Sequence, residues 1–409
     1  MAASLLADCL RPGDRLLIGQ ALAEPVGLVA DLFDCAPRMG LSVFGGYSLN
    51  PAWRGEVPHA LALSTYCGMG TWSALVASGR ARLVPASLLQ LSSALSSRKL
   101  AIDVVLLQVS PADDEGFHSL GCTQDHVWDA VAVARAVVVE VNHRLPVTRG
   151  AARLHRSQVV IARECDEPLL EAPAEPVSPV QQAIARQVAS LVPDGATLQL
   201  GIGGLAVAVA CAVRDRRGLK LRSGMVGDWF MDLLDSGAID TDTPDACLAS
   251  LAVGSPRLYG ALSVGAPLGF APPSRLVVPV PGSPLMAINS AVEVDLAGHA
   301  NAEFLGERYV GAVGGQTEYL RAARRSEGGL AILALPSRTG GGQRSRIVAR
   351  CAWVTSAQSD VDVIATEQGL ADIRCTTLAE RCAAIAAIAD PRDRPGLLAQ
   401  SWPSEGTAP

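Results

Sequence analysis

The chain contains 409 residues, of which 49% are hydrophobic, 18% are charged and 4% are aromatic. This length suggests two or three domains, and the richness in Ala, Val and Leu is typical of parallel sheets covered by helices and excludes a disordered chain. The formal net charge is −6 and no block of five or six basic residues occurs, so we expect no nucleic-acid partner.

The N-terminal stretch MAASLLADCLRPGD lacks the basic region and the long apolar core of a secretory signal. The longest apolar run, at 200–213, is shorter than the roughly 20 residues that a membrane-spanning helix requires. The ten cysteines form no CxxC pair and the six histidines form no HExxH motif, which argues against a disulfide scaffold or a structural zinc site. We therefore expect a soluble, cytoplasmic protein with no metal and no bound cofactor.

Strand-like aliphatic runs alternate with amphipathic helical patterns along the chain, which favours an α/β fold with mainly parallel sheets. The predicted strands, in chain order, are RLLIG (15–19), DVVLLQV (103–109), AVVVEV (136–141), TLQLGI (197–202), LAILAL (330–335) and DVIAT (362–366). The clearest predicted helices are EPVGLVADLFD (24–34) and PVQQAIARQVASLV (179–192).

A segment rich in proline and acidic residues, at 162–179, separates two halves of the chain. Each proline removes a backbone donor and disfavours helix in the residue before it, so we predict an extended linker. The predicted organisation is an N-terminal α/β domain over residues 1–161, the linker, and a C-terminal α/β domain over residues 180–409.

The two halves share a short unit that contains a turn, a strand, a glycine and a helix. Gly13 and Gly19 of the first copy align at a constant offset with Gly195 and Gly201 of the second. The pattern suggests two similar domains, and a cleft between two such domains is a common ligand site.

A glycine-rich turn at 199–210, QLGIGGLAVAVA, joins a predicted strand to a helix. Such a turn lets backbone N–H groups approach an anion at the helix N-terminus. Gly201, Gly203 and Ala206 also fit the dinucleotide fingerprint G-x-G-x-x-G/A. That fingerprint needs an acidic residue about 20 positions later, where this chain has Arg222, so a nicotinamide-dependent oxidoreductase is retained only as a second alternative.

A second glycine cluster lies in VGAVGGQTEYLRAA, at 310–323, where Gly311, Gly314 and Gly315 precede a helical run. Glycine tolerates positive φ and close approach, so this turn can direct backbone amides at a thioester oxygen or a phosphate. Two such turns in one half of the chain favour a binding site for an anionic or carbonyl-containing substrate.

The residues resemble the acetyl-CoA hydrolase/transferase family, which includes acetate and 4-hydroxybutyrate CoA-transferases. The motifs that carry the resemblance, in chain order, are LLQVSPADDEGFHSLG (106–121), VVVEVNHRLPVTRG (137–150), LQLGIGGLAVAV (198–209), EVDLAGHANAE (293–303), GAVGGQTEYLRAA (311–323), LALPSRTGGGQRSRIV (333–348) and TEQGLADIRCTTLAERC (366–382). The resemblance implies two similar CoA-transferase-like α/β domains, an active-site cleft between them, and CoA or acyl-CoA as a substrate.

In this family a glutamate attacks the acyl-CoA and becomes a glutamyl-CoA thioester, because a carboxylate nucleophile divides a difficult exchange into two easier steps. The glutamate lies in a Thr/Ser-Glu-Met motif that is followed by an aspartate and a helix. The stretch LRSGMVGDWFMDLL (221–234) resembles that motif and reads as an active-site loop that leads into a helix. The resemblance aligns Ser223, Met225 and Asp228 with family residues and places Gly224 at the position of the catalytic glutamate.

The resemblance also implies a set of residues that hold CoA through the two glycine turns and one later loop. These are Gly201, Ile202, Gly203, Gly204, Leu205, Gly311, Gly314, Gly315, Gln316 and Gly340. Many members have a lysine at the position of Gly340, and Arg338 or Arg344 is a candidate to supply the missing charge. The proline that usually follows the first glycine turn is replaced by Ala206.

Several other side chains are candidates to replace the missing nucleophile. Asp228 is either a general base for water or, as the first residue of a helical run, an N-cap. Glu24 and Glu115 are carboxylates near predicted strand ends, and His118 and His143 are candidate bases. An exposed loop carboxylate is usually only solvated, and a single loop histidine is more often structural.

Three hypotheses follow. The first is a CoA-transferase or acyl-CoA hydrolase that acts without the glutamyl-CoA intermediate, with acyl-CoA and a small carboxylate as partners. The second is a degenerate family member that binds CoA without turnover, and the third is the oxidoreductase. We expect a homodimer, as the family often forms.

Overall fold

The computed structural model describes residues 5–173 and 176–400. Its strands are β1 (Arg15–Ile18), β2 (Ser42–Gly45), β3 (Ala62–Thr65), β4 (Ala81–Leu83), β5 (Val104–Val109), β6 (Phe117–Ser119), β7 (Ala136–Asn142), β8 (Arg153–His155), β9 (Val160–Cys165), β10 (Thr197–Gln199), β11 (Lys220–Val226), β12 (Cys247–Ala252), β13 (Gly269–Phe270), β14 (Leu285–Ser290), β15 (Glu293–Asp295), β16 (Ala300–Asn301), β17 (Phe304–Leu305), β18 (Arg308–Tyr309), β19 (Leu330–Ala334), β20 (Ile347–Val348), β21 (Val363–Thr366) and β22 (Gly369–Asp372). Its α-helices are α1 (Leu5–Cys9), α2 (Val26–Cys35), α3 (Ser73–Ala77), α4 (Leu88–Ser96), α5 (Val127–Val131), α6 (Pro179–Ala189), α7 (Gly204–Ala212), α8 (Trp229–Asp235), α9 (Pro256–Ser263), α10 (Pro273–Leu276), α11 (Gln316–Arg325), α12 (Leu378–Ala387) and α13 (Arg394–Leu398).

The first half of the chain forms a seven-stranded parallel sheet with the strand order β4-β3-β2-β1-β5-β7-β9. Every residue of β5 is buried, as expected for a central strand that is covered on both faces. The continuous aliphatic run VVLLQV supplies side chains to both covered faces, which explains why it does not alternate with polar residues.

The second half forms an eight-stranded sheet with the order β13-β12-β11-β10-β14-β19-β21-β22. All of its pairings are parallel except β21 with β22, which are antiparallel. Its first seven positions repeat the order of the first sheet, with β10 in the place of β1 and β14 in the place of β5. The structure therefore confirms the predicted α/β class with mainly parallel sheets.

Most of the predicted elements lie where the sequence pattern placed them. The six predicted strands overlap β1, β5, β7, β10, β19 and β21, and the two predicted helices overlap α2 and α6. The stretch 221–234 is different, because residues 220–226 are strand β11 in the middle of the second sheet and not a loop. The sequence signal of β11 is weak because Lys220, Arg222, Ser223 and Gly224 leave Leu221, Met225 and Val226 as its only apolar residues.

The predicted linker at 162–179 begins inside β9, which pairs with β7 as far as Cys165. At its other end, Ser178 caps α6 by accepting a hydrogen bond from the Gln181 backbone N–H at 3.2 Å. Residues 174–175 of this segment lie outside the described residues. The domain boundaries at 161 and 180 stay predictions.

Candidate functional site

The second sheet has a topological switch point between β10 and β14, because the strand order departs in opposite directions from these two central strands. Open parallel sheets bind ligands outside the carboxyl ends of the strands at such a point. The side chains of Gln199 and Asn289 pair across it, and the Asn289 Nδ2 atom donates to Gln199 Oε1 at 2.7 Å. This pair forms the polar floor of a cavity.

The first glycine turn leads from β10 into α7. Gly203 has φ +102° and stands at the N-cap position of the helix, so a residue with a side chain would be strained there. The carbonyl of Gly201 accepts a hydrogen bond from the Trp229 indole N–H at 3.2 Å, which fixes the turn against α8. Gly201 and Ile202 line the cavity, whereas Gly203 and Leu205 line two smaller adjacent pockets. The predicted residue Gly204 begins α7.

The second glycine turn precedes α11 and lines the same cavity through Gly311, Gly314, Gly315 and Gln316. A Cβ atom at Gly311 would lie 2.0 Å from the Ala302 carbonyl oxygen, so only glycine fits at this position. The two predicted glycine turns, remote in sequence, therefore meet at one cavity.

The first half of the chain holds the second glycine turn in place. Gly68 N donates to the Gly311 carbonyl at 2.8 Å, and Leu88 N donates to the Gly314 carbonyl at 3.1 Å. In addition, the Ser87 hydroxyl and the Leu89 N–H both donate to the Glu318 carboxylate near the start of α11. The cavity thus lies between the two halves, and both halves contribute to its walls.

Gly224 lies near the carboxyl end of β11 and lines this cavity. Its φ angle is not among the positive values of the described residues, so the backbone does not require glycine here. A Cβ atom at this position would lie 3.6 Å from Leu88 Cδ1 and 3.7 Å from Tyr319 Oη, both ordinary contacts. The buried Ser223 hydroxyl lies within hydrogen-bond distance of two carbonyl oxygens, that of Met225 at 2.9 Å and that of Leu200, and donates its single proton to one of them.

The cavity has a mixed lining of apolar and uncharged polar side chains. It is lined by Gln20, Tyr66, Met69, Leu88, Asp125, Gln199, Leu200, Gly201, Ile202, Ser223, Gly224, Met225, Ser250, Leu251, Pro273, Asn289, Ser290, Ala302, Gly311, Ala312, Val313, Gly314, Gly315, Gln316 and Tyr319. Among these described residues Asp125 is the only one with a carboxylate, and none is Lys, Arg, His or Cys.

Asp125 was not predicted from the sequence, and its carboxylate is already engaged. The Val127 backbone N–H donates to its Oδ1 atom at 2.9 Å, and the Gln20 side-chain amide donates to Oδ2. Gln20 in turn accepts from the Tyr66 hydroxyl at 2.8 Å. This buried chain of hydrogen bonds orients Asp125 at the first-half wall of the cavity.

Tyr319, on α11, is the second important residue that the sequence did not reveal. The side chain is 3% exposed, and its hydroxyl has no hydrogen-bond partner among the described residues. Burial raises the pKa of Tyr319 above its usual value, so the hydroxyl stays neutral and keeps its proton to donate. An unpaired buried hydroxyl is costly, which makes this group a marker for a ligand.

Asp228 does not cap α8 through its side chain, and its role as a general base stays a prediction. It stands at the N-cap position of α8 but makes no side-chain capping hydrogen bond there. Its carboxylate instead accepts from the Ser255 hydroxyl at 2.7 Å and from the Ser255 N–H at 3.0 Å, at the start of α9. It lines the smaller adjacent pocket and not the cavity that contains Gly224.

The predicted CoA-binding loop around Gly340 lies away from the cavity lining. Gly340 is exposed, and a Cβ atom there would have no described atom within 4 Å beyond its chain neighbours. Arg338 does not supply a free charge, because its guanidinium pairs with Asp393 and donates from Nε to the Gly342 carbonyl at 2.7 Å. Arg344 is exposed in the same loop.

The four other candidate catalytic side chains lie outside the cavity lining. Glu24 is 1% exposed and accepts hydrogen bonds from Asn50 and Trp53, while Glu115 is exposed near Arg153. His118 is buried with its Nδ1 atom 2.7 Å from the Ser110 carbonyl, and His143 is exposed near Glu164. The catalytic roles considered for these four side chains stay predictions.

The described residues provide neither a metal site nor a membrane-spanning helix. Within residues 5–173 and 176–400, no cluster of three or more His, Cys, Asp or Glu side chains could hold a metal ion. None of the described helices is long and apolar enough to cross a membrane. The first glycine turn also lacks the acidic partner of a dinucleotide site, because Arg222 and Gly224 stand on β11 where that partner is expected.

Two regions of the chain match known domains. Residues 64–166 match the acetyl-CoA hydrolase/transferase N-terminal domain, and residues 281–401 match the C-terminal domain of the same family. The chain belongs to the acetyl-CoA hydrolase/transferase family. The resemblance inferred from the sequence motifs is therefore confirmed.

Full-length similarity to members of the family supports the same conclusion. The 4-hydroxybutyrate coenzyme A transferase of Clostridium kluyveri is 32% identical over 398 residues, which cover 94% of this chain and 92% of that protein. RipA from Yersinia pestis is 28% identical with a TM-score of 0.90, over 98% of this chain and 96% of RipA. The 4-hydroxybutyrate CoA-transferase from Porphyromonas gingivalis is 29% identical with a TM-score of 0.79, over 97% and 95% of the two chains.

Proposed function

We propose that this protein binds an acyl-CoA thioester and a small carboxylate in the cavity between its halves. It transfers CoA between the two acids, or hydrolyses the thioester, without a glutamyl-CoA intermediate. The observation that carries the proposal is the position of Gly224, which opens onto the cavity where two glycine turns meet. A glycine cannot form a covalent thioester through a side chain.

The glycine turns remain suited to thioester chemistry. Backbone amides near a helix N-terminus stabilise developing negative charge, and removal of one such donor typically costs about 10²–10³ in rate. Gly201 and Gly311 bring the backbone of both turns to the cavity wall without side chains that would block a substrate. No other cofactor is required by this proposal, and homodimeric assembly stays a prediction.

The test is a thiol-release assay with acetyl-, propionyl-, butyryl- and succinyl-CoA, with and without acetate as the acceptor. We expect CoA exchange that depends on the acceptor, or slow release of free thiol. Failure of every thioester to react, with CoA binding still measurable by calorimetry, would contradict an enzymatic function.

The Gly224→Glu variant tests the position of the nucleophile. The backbone conformation and the contacts around Gly224 leave room for a side chain, so the variant should fold. We expect it to gain a glutamyl-CoA intermediate and faster transfer. Gly260→Glu, at an exposed position of α9 outside the cavity lining, is the matched control and should leave the rate unchanged.

A second candidate function is binding of CoA or acyl-CoA without turnover. It is favoured by the described lining of the cavity, where the single carboxylate of Asp125 is already held by Gln20 and the Val127 N–H. Tight binding by calorimetry with no thiol release by the wild type, together with release by Gly224→Glu, would support this function over the first.

A further inference from the structure

We propose that the space above Gly224 is a binding site for the carboxylate of the acceptor acid, which attacks the acyl-CoA directly. This inference rests on the proposed function and specifies its chemistry. The acid would provide the nucleophile that the chain lacks, so that transfer proceeds through a complex of protein, acyl-CoA and acid.

The first observation is the space itself. Beyond its chain neighbours, the nearest described atoms to a Cβ at Gly224 are Leu88 Cδ1 at 3.6 Å, Tyr319 Oη at 3.7 Å and Tyr319 Cε2 at 3.9 Å. The position lies on the cavity wall with the two glycine turns. A small carboxylate placed here would therefore stand beside the amides that are suited to hold the thioester.

The second observation is the Tyr319 hydroxyl, which is buried and has no hydrogen-bond partner among the described residues. The hydroxyl faces the Gly224 position and can donate one hydrogen bond to a carboxylate oxygen. Burial raises the pKa of Tyr319, the neighbouring Glu318 raises it further, and the Arg222 guanidinium lowers it. The hydroxyl is thus a neutral donor with a guanidinium within electrostatic range.

The third observation is the arrangement of charge on β11. Arg222 and Gly224 are two residues apart and face the same side of the sheet. Arg222 is half-buried, and burial lowers its pKa. Its Nη1 atom donates to the Leu221 and Ala246 carbonyls at 2.7 and 2.9 Å, and it does not line the cavity. Glu318 does not line the cavity either, and its carboxylate is held by Ser87 and Leu89. Neither charge therefore competes with the Tyr319 hydroxyl for an acid at Gly224.

The transfer requires no nucleophile from the protein. One carboxylate oxygen of the acceptor forms a bond to the thioester carbonyl carbon, and the C–S bond breaks to give a mixed anhydride and CoA thiolate. The thiolate then attacks the acceptor carbonyl of the anhydride, and the C–O bond on that side breaks. The products are the acceptor acyl-CoA and the donor acid, which now carries one oxygen from the acceptor.

This oxygen transfer gives a direct test. Protein in excess over acetyl-CoA is mixed with [¹⁸O₂]propionate, and the acetate released in a single turnover is analysed by mass spectrometry. We expect one ¹⁸O atom in that acetate. Unlabelled acetate formed together with propionyl-CoA would overturn the inference, because the oxygen would then come from a protein carboxylate such as Asp125.

The Gly224→Glu variant is the positive control for the opposite result. Its own carboxylate would supply the oxygen, so its first turnover should release unlabelled acetate from the same mixture. Steady-state patterns provide a second readout. We expect intersecting lines for the wild type, since both substrates are bound together, and parallel lines for Gly224→Glu.

Two variants test the carboxylate site. Tyr319→Phe removes one hydrogen bond to a charged group and should raise the KM for propionate by about 10- to 100-fold with little change in the KM for acetyl-CoA. Gly224→Ala places a methyl group in the site and should weaken the binding of propionate by about tenfold. The control is Tyr259→Phe, whose hydroxyl binds the backbone of Gly254 and Leu170 away from the cavity lining.

Direct attack by the acid can be distinguished from the wider CoA-transferase or hydrolase activity. Thioester hydrolysis with no effect of propionate at any concentration would overturn the direct attack and leave a hydrolase. If the wild type shows no turnover, calorimetry with propionate in the presence of saturating CoA decides the matter. Binding that Tyr319→Phe weakens supports the site, and no binding of propionate overturns it.

Discussion

The two sheets provide a comparison at equivalent positions. Arg15 pairs with Ser42 in the first sheet as Thr197 pairs with Lys220 in the second, so Gly46 in the first half corresponds to Gly224 in the second. Their surroundings differ sharply. A Cβ atom at Gly46 would lie 2.3 Å from Gln20 Oε1 and 3.0 Å from a Tyr66 ring carbon, whereas the nearest such atom to a Cβ at Gly224 is Leu88 Cδ1, in ordinary contact at 3.6 Å.

The glycine turns after β1 and β10 differ in the same way. At Gly19 a Cβ atom would lie 2.1 Å from the Ala23 carbonyl, because the chain folds into a short 3₁₀ helix that fills the sheet edge. At Gly201 it would meet no described atom within 4 Å beyond its chain neighbours. In the first sheet, the carboxyl ends of β1 and β2 are filled by residues of the same half. In the second sheet, the equivalent ends of β10 and β11 border the cavity.

The two halves of the chain therefore contribute different parts of the cavity. The residues that fill the first edge, Gln20 and Tyr66, also form one wall of the cavity and orient Asp125. The first half thus provides a rigid wall and holds the second glycine turn, while the second half provides the open edge.

Alanine at the equivalent positions Gly19 and Gly201 should destabilise the protein strongly at the first and hardly at all at the second. Gly19→Ala forces a methyl group into the backbone of the closed edge, so we expect a loss of about 3 kcal/mol or more in the free energy of unfolding. Gly201→Ala should change it by less than about 0.5 kcal/mol. Urea unfolding of both variants is the measurement, and similar losses in the two would contradict an open second edge.

The buried carboxyl of Glu24 should make the stability of the protein depend on pH. Burial raises its pKa from 4.5 to about 7. Between these values the folded protein binds a proton that the unfolded chain releases, so this group's contribution to stability falls as pH rises and is fully lost above the folded pKa.

Glu24→Gln removes that dependence and can still accept the hydrogen bonds from Asn50 and Trp53. From pH 5 to pH 8 we expect the variant to gain up to about 3 kcal/mol of unfolding free energy relative to the wild type. Urea titrations at several pH values measure it. A difference in unfolding free energy between variant and wild type that does not change with pH would show that burial does not keep Glu24 neutral.

Asp228 should prove structural and not catalytic. Its carboxylate holds Ser255 at the start of α9, so Asp228→Ala should lower the free energy of unfolding by about 1–2 kcal/mol and leave thiol release nearly unchanged. Asp235→Ala, which removes an exposed pair with Arg257, is the control and should cost less. A large loss of activity in folded Asp228→Ala would restore its predicted catalytic role.

The smallest effect is expected at Gly340. A lysine fits there without a close contact, and the position is exposed. Gly340→Lys should therefore strengthen CoA binding by no more than about fivefold, and the gain should disappear at high salt. Calorimetry at two salt concentrations measures this effect. A gain that persists at high salt would show a buried contact with CoA instead.

The sequence predicted the sheets well because buried parallel strands are continuous aliphatic runs, as in Val104–Val109. It also predicted both glycine turns, since Gly203 and Gly311 are required by the backbone itself. Strand β11 is mistaken for a loop because Lys220, Arg222, Ser223 and Gly224 leave it without a continuous or alternating apolar pattern. Local pattern and site requirements conflict there.

The walls of the cavity could not be predicted from spacing. Asp125 and Tyr319 come from different halves and meet only when the sheets pack together. Tyr319 had one available signal, its place just after the second glycine turn, but the orphan state of its hydroxyl depends on tertiary packing. The N-cap role predicted for Asp228 follows from its position before α8, but its carboxylate bonds Ser255 at the start of α9.

Intact-protein mass spectrometry shows whether a covalent CoA intermediate forms on the protein during turnover. Wild type and Gly224→Glu would each be mixed with acetyl-CoA, quenched rapidly in acid and weighed. We predict unmodified wild-type protein and a covalent CoA adduct on Gly224→Glu. A covalent CoA adduct on the wild type would contradict the account and would show that another side chain, with Asp125 the first to examine, has taken over the role of nucleophile.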